Sequence, residues 1–539
     1  LSADSGAGSF RPRLRDGVTL TPRAATEEEL AAGEPDERGA IAVEGLYAIE
    51  LGPRAWSVAR QLDGVRDLDA LAASSGQARD VVDETVRQLA LLNALDGAGD
   101  RIVERLRRVR RGEERLPTMV LDGARFECQG SGACCRNYHF GPLKESDVER
   151  LLALPLGEAF PHVEPPYVIE RLVGAQTQRY LKSVDHACVF LDADHRCGLH
   201  ARFGAEAKPD LCRIYPIERL VTYDGIRTSD GSTCATFATS ARRGRPLVEE
   251  LAWLRPLFYG EHEILHPIVE LPGLRLDFGH YLTLARSFLD VAREGRASAP
   301  ATLRAIGRAL AAALPVLASI ELRAGEPDAT VAALAARDWA PFFEEPDDAA
   351  AIARGAAAVE RIVARLLEAA AARLAKVRSA TAEGVEYAMG PQLPGELCEI
   401  LVVMQLAARA VVAGAPPADP YFGQILGIAV GDAECDEVLR LSIRQQLFGR
   451  RLLVEDRRGA AALARLALVH LAAIVGARLS AAAEGLARAR AEHLSRGHML
   501  ALRVLPVLRE DALLLDEEEH AFAILEALPA LARWEYPSI

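Results

Sequence analysis

The stretch FECQGSGACCRNYHF, residues 126–140, sets Cys134 and Cys135 side by side, six residues after Cys128. The chain has only nine cysteines in 539 residues, so three thiols in so short a run call for partners elsewhere. The sequence supplies them: Cys188, Cys197, Cys212 and Cys234 follow within the next hundred residues. Metal binding needs several soft, deprotonated thiolates brought to one point, and sequences achieve this with short-spaced thiols on loops joined by longer segments. In GSGACC, Gly130 and Gly132 let the backbone turn tightly enough to aim thiols inward. In ACVFLDADHRC, two short runs flank the turn-forming residues Asp192 to Asp194, which predicts Cys188 and Cys197 close together across a hairpin-like bend. Cys212 sits in KPDLCRIYP, where Pro209 and Pro216 keep its segment from growing into a long helix. Ser146 and Glu149 read as a capping box that opens a helix just beyond the vicinal pair.

The three blocks FECQGSGACCR, ACVFLDADHRCGLH and KPDLCRIYP resemble, in order, those of the YkgJ-type cysteine-cluster family, a zinc- or iron-chelating domain. A fourth element, GIRTSDGSTCATFA (225–238), is similar to one in the bacterial flagellin lysine-N-methylases, which carry the same cluster before a helical half. That second resemblance implies methyl transfer to protein lysines and an iron–sulfur centre; the spacing itself shows no methyl transfer. Ser131 stands where the family's first block usually has its second cysteine, and Lys208 where arginine is common. The first block is therefore one thiol short, to be made good by Cys234 or by a histidine from His139, His186, His195 or His200. The expected metal residues are Cys128, Cys134, Cys135, Cys188, Cys197, Cys212 and Cys234, with Arg213 and Tyr215 holding the ligand loop or bonding to sulfur. Thiolates suit a zinc or iron ion and an iron–sulfur cluster alike, although six or seven exceed one mononuclear site. Cys398 and Cys435 fall in apolar helical stretches and read as core residues.

Outward from the cluster, the chain is too long for one core and divides into about three or four parts. The expected class is mainly α and multidomain: a small N-terminal winged-helix-like α/β domain, a loop-rich cysteine-cluster domain over 118–245, and an all-helical domain over 246–539. Residues 1–16, rich in Gly, Ser and Arg, read as disordered. Over 17–100, GLYAIEL (45–51) alternates as a half-buried strand, and helices follow around Trp56, around Leu68 and Leu71, and through Val82, Val86 and Leu89. With the segment LDGVRDLDALA (62–72), this order resembles the PqqD-like peptide-recognition domain, which implies a peptide or protein substrate bound as an added strand. RIVERLRRVRRGEER (101–115), within a linker over 101–117, reads as a solvated helix whose glutamates offset its arginines. In the last part, the period of Val359, Ile362, Val363, Leu366, Ala370, Leu374 and Val377 predicts one long amphipathic helix, among about six to ten in all.

Several readings fail on composition or geometry. With 63 basic and 76 acidic residues the net charge is -13, which argues against nucleic acid as a partner. No N-terminal stretch has the make-up of a signal peptide, so the expected compartment is the reducing cytoplasm, where clustered cysteines serve metals more often than disulfides. AALARLALVHLAAIVG (461–476), interrupted by Arg465 and His470, reads as a buried core helix and not a membrane span. HEILH (262–266) has the zincin spacing, but Pro267 disfavours helix at His266 and only Glu270 or His280 is near as a third ligand. No phosphate-binding loop, dinucleotide fingerprint or nucleophile elbow occurs. The usual C-x3-C-x2-C radical spacing is also absent, so any use of S-adenosylmethionine would be unconventional. Two functions stay open: a metal- or iron–sulfur-binding protein that modifies a peptide or protein, its concrete form a lysine N-methylase, and a non-enzymatic metal-chelating and interaction protein.

Overall fold

The computed structural model describes residues 10–533 except for 25–36, 44–46, 93, 97–103, 106, 110, 137–139, 174–175, 223, 258–267, 273, 319–328, 345–346, 383–391, 416, 431, 450–458 and 505–517. The HEILH segment and His139 lie outside the described residues.

The N-terminal part is a three-stranded antiparallel sheet, β1 (Val18–Ala24), β2 (Glu37–Val43) and β3 (Tyr47–Leu51), in the order β1–β2–β3. Three helices cover it: α1 (Pro53–Ala59), α2 (Leu68–Ser75) and α3 (Arg79–Leu91). The Asp67 side chain accepts the Ala70 amide at 2.9 Å and so fixes the start of α2; Gly76, in the left-handed region, ends it. A Cβ at Gly39 would run into the Trp56 indole, so the glycine lets that ring lie flat on the sheet. Ile41, Val58, Leu71, Val82 and Leu89 are almost wholly buried. The expectation of disorder up to residue 16 is corrected for 10–16. Leu14 bonds through its amide to Leu62 O, and Arg15 is buried with its guanidinium on Leu95 O at 3.0 Å. Backbone pairing with the domain's loops outweighs the polar composition of that stretch. In the arginine-dense linker, Arg105 and Arg108 both pair with Glu114, and Arg111 pairs with Glu104 and Glu113, so its charge is offset in part locally.

The central sheet contains β4 (Thr118–Val120), β7 (Ile217–Thr222) and β8 (Gly225–Asp230), with β8 in the middle, antiparallel to β7 and parallel to β4. Before β7 come helix α4 (Glu145–Leu152), the hairpin β5 (Val168–Val173) and β6 (Gln176–Leu181), and the short helices α5 (Gly198–Phe203) and α6 (Asp210–Ile214). Alternation along β7 divides the sheet's neighbours. Val221, facing across to Ile226, packs into the N-terminal core, whereas Leu220 packs into the helical core. The helix α7 (Phe237–Arg243) then leads into the C-terminal part.

There, the expectation of helices alone is corrected by a β-hairpin, β9 (Ile268–Leu271) with β10 (Leu274–Asp277), whose Val269, Leu271 and Leu276 are buried. Short alternating runs this close to helical ones carry little periodic signal. Twelve α-helices lie between Leu247 and Arg533 among the described residues, more than expected. Those used below are α8 (Ala349–Ala382), α9 (Ala433–Gly449), α10 (Gly459–Ala483), α11 (Ala491–Val504) and α12 (Glu518–Arg533). The 34 residues of α8 hold the long periodic pattern on a single rod. At 25 residues, α10 is longer than its sequence pattern suggested and is apolar enough to cross a membrane, yet 94% of its most apolar window is buried inside the protein. It is the centre of the bundle. Arg478 near its end is buried and bonds to Ile428 O and Ala532 O, capping two helix ends with one side chain.

Two tests follow from this packing. A Cβ at Gly355 on α8 would collide with the carbonyl oxygen of Ala523 on α12. Gly355→Ala should therefore destabilise the protein by about 1–3 kcal/mol in urea unfolding, despite the better helix propensity of alanine. His470 and His498 are buried with ring centroids 5.1 Å apart. Burial lowers His470 to about 4 and His498 to about 3, with His470 adding to the latter. Both lie below the unfolded value, so as pH falls below about 6.5 the unfolded chain takes up these protons first. Each histidine should then remove up to about 1.4 kcal/mol per pH unit until its folded value is reached. Denaturation midpoints between about pH 7 and pH 4 should fall less steeply in His470→Gln than in the parent protein.

Candidate metal centre

The vicinal pair sits on a single 3-10 turn, Ala133–Cys135, entered through Gly132 at φ 65°. Gly130, at φ 67°, prepares the same turn. A Cβ at Gly132 would run into the His195 carbonyl, so this glycine is needed both for its dihedral and for close approach. The Cys134 and Cys135 sulfurs are 3.8 Å apart. The turn lies on the second block: Arg136 bridges to Ala187, and its guanidinium is 3.1 Å from His195 Nδ1.

That second block forms the bend its sequence suggested. Ser183–Val184 pairs with Ala187–Cys188, and Leu191 pairs with Cys197 across a turn closed by the His195 amide on Asp192 O at 2.9 Å. Cys197 caps α5, whose Leu199 packs with Phe160 and Phe190 beneath the thiols. Cys212 lies on α6, held by an ionic network. Asp147 Oδ1 accepts the Asp210 amide at 3.2 Å and an Arg150 N–H; Arg150 also reaches Lys208 O at 3.1 Å, and Lys144 Nζ is 3.1 Å from Asp210 Oδ2. This overturns the expected capping box. α4 begins at Glu145 with Lys144 as its cap, and Ser146 lies inside the helix. The buried Asp147 carboxylate, bound by Arg150 and Asp210, takes over the work of fixing that end.

Arg213 pairs with Glu206 at 2.8 Å and with Asp210 at 3.6 Å, and Tyr215 donates to Thr233 O at 2.6 Å. The tyrosine thereby ties the third block to the residue preceding Cys234. The Cys234 sulfur is 3.2 Å from Thr236 Oγ1.

Electrostatics shows which thiols share a neighbourhood. Burial pushes Cys188 far above the ordinary thiol range, and Cys212, Cys197 and Cys134 each push it further. Cys212 is pushed up to about 12 by burial; Cys134, Cys197 and Asp147 add to this, and the Lys208 ammonium opposes it. Cys134 is held well above its usual value by its contact with Cys135 and by burial. Cys234 rises to about 11 through burial, with Asp230 and Cys134 contributing. Cys134 thus acts on Cys188, Cys212 and Cys234 and is in contact with Cys135. Cys128 is exposed. Of the candidate histidines, His195 is turned to Arg136. Among the described residues, no three His, Cys, Asp or Glu side chains already stand close enough to hold one ion. Thiols that ligate a metal give up their protons as they bind it. Soft sulfur donors fit zinc or iron. Cys435 is buried within α9 and Cys398 packs at the edge of the helical core.

Residues 127–235 match the CxxCxxCC family model, described as "Putative zinc- or iron-chelating domain", and the match takes in all seven clustered cysteines. No curated protein and no solved structure matches the chain.

The network around α6 and the role of Asp147 were missed from sequence. The only trace was Asp147 and Arg150 at helical spacing, a pattern too common to single out. Exposure and burial make the thiols chemically unequal. In reduced, metal-free protein at about pH 8, iodoacetamide should modify Cys128 first and Cys188 and Cys212 at least about a hundredfold more slowly, as read by peptide mass spectrometry.

Proposed function

We propose that the chain binds zinc or iron through Cys134, Cys188, Cys197 and Cys212, with Cys135 and Cys234 adjoining. The observation that carries this reading is how the thiol-bearing segments are tied together: Cys134 and Cys135 stand 3.8 Å apart on a turn that bridges from Arg136 to Ala187, Cys197 pairs with Leu191 in the bend after Cys188, and Tyr215 of the Cys212 segment bonds to the residue preceding Cys234. What these residues do is hold and orient the metal: the glycine turn delivers Cys134, the bend delivers Cys188 and Cys197, and the ionic network seats Cys212. Lys208 offsets the negative charge that deprotonated sulfurs bring. Cys128, exposed near the turn, is peripheral to this set, and the family match supports the zinc or iron chemistry.

The adjoining sulfurs favour an iron–sulfur cluster over a lone zinc ion, because they exceed one tetrahedral set. Anaerobic purification with metal analysis and a visible absorption spectrum tests this; a colourless protein with stoichiometric zinc would reverse the choice. Cys134→Ala and Cys212→Ala should each weaken metal binding more than about tenfold, whereas Cys398→Ala should leave it unchanged. Metal content unaffected by the first two variants would sink the ligand assignment.

A catalytic reading goes one step further: lysine N-methylation of a peptide or protein held by the N-terminal domain, the metal region serving that chemistry. It is favoured by the N-terminal core, which includes Val221 and Ile226 of the strands that lead to Cys234, so a peptide added at the β1 or β3 edge would be tied to the centre. Transfer of labelled methyl from S-adenosylmethionine to lysine-rich protein substrates tests it. With no transfer by metal-replete protein, the non-enzymatic metal-handling role stands.

A further inference from the structure

We propose that Asp230 supplies a carboxylate oxygen to the metal, on the side of the centre bounded by Cys134 and Cys234. The inference rests on the metal-binding reading above and adds an oxygen ligand to a set otherwise made of sulfur.

Asp230 ends β8, the central strand of the sheet, and is 1% exposed. Its Oδ1 accepts the Ser232 amide at 2.8 Å, but Oδ2 has no hydrogen-bond partner among the described residues. A buried carboxylate oxygen left without a donor or a cation is costly, and native structures rarely leave one so without a reason. The charge acting on it is that of Glu218, of the same sign, so the cost is not met from that direction. Two hydroxyls flank it at alternate positions, Thr228 Oγ1 and Ser232 Oγ; both are fully buried and have no hydrogen-bond partner among the described residues.

Position makes the metal the natural partner. Cys234 lies four positions beyond Asp230, and its thiol is in the field of Asp230 and also in that of Cys134. The intervening backbone is pinned. The Asp230 amide donates to Gln445 Oε1 at 3.2 Å, Gln446 Nε2 to Gly231 O at 2.9 Å, the Gly231 amide to Pro216 O at 3.0 Å, and Tyr215 to Thr233 O. The unpaired oxygen is thus held by the scaffold of two domains and not by a free loop. Zinc and iron both accept carboxylate beside thiolate.

Zinc K-edge absorption fine structure of the full-length, zinc-loaded protein tests the assignment. The expected result is an oxygen shell at about 2.0–2.2 Å beside sulfur at about 2.3 Å. An all-sulfur shell overturns the proposal. Asp230→Asn, with its fold verified by circular dichroism, should lose that oxygen shell and bind zinc at least about tenfold more weakly. An unchanged shell and affinity would mean that the oxygen comes from water and the assignment is wrong. Should the asparagine variant not fold, Asp230→Cys replaces the oxygen by sulfur, and a shell with no added sulfur is equally decisive against the proposal. If the parent protein binds neither zinc nor iron, the metal-binding reading itself falls, an outcome distinct from an all-sulfur shell.

Discussion

The pleat of one small sheet determines how the rest of this molecule is assembled. Side chains along Ile217–Thr222 alternate between two faces, and the two faces are claimed by different cores: Val221 belongs to the N-terminal domain and Leu220 to the helical bundle. A one-residue slip would send each side chain to the wrong neighbour, so the register of three strands sets the mutual arrangement of three regions. The same sheet ends at Asp230 and hands the chain on to Cys234. Helix α9 grips that end through Gln445 and Gln446, so the last cysteine is positioned by the helical domain as well as by its own segment.

The thiol centre depends on this arrangement because none of its segments could form it alone. Each cysteine is placed by contacts made elsewhere: a glycine against the His195 carbonyl, a bend over Phe190 and Leu199, and a helix anchored by Asp147 and Arg150. Burial then makes these thiols hard to ionise, and their mutual proximity makes it harder. A divalent metal reverses that balance, since it favours the deprotonated form of every sulfur it touches. Cys128, by contrast, is exposed to solvent.

Much of this was legible from residue type and spacing. The helices around Trp56, Leu71 and Val86 and the long rod through Val359 and Leu366 follow from periodicity, because a helix or strand on a core must repeat its apolar positions. The bend between Cys188 and Cys197 follows from turn chemistry. The misses have a common cause. The ordering of residues 10–16, the start of α4 and the hairpin at 268–277 all depend on partners distant in sequence, such as Leu62, Leu95 and Asp210 for the first two.

The sequence by itself determined which chemistry is at hand: seven clustered cysteines on glycine- and proline-punctuated loops, with a serine where one more thiol is usual. Local propensity and side-chain type are enough for that, since thiols bind soft metals wherever they are brought together. Only the tertiary structure decided which of them meet. It set the Cys134 and Cys135 sulfurs 3.8 Å apart on one turn, exposed Cys128 to solvent, and left one oxygen of the buried Asp230 without a hydrogen-bond partner among the described residues. Convergence of side chains is a property of how domains pack, and burial, which makes an unpaired carboxylate costly, exists only once they have done so.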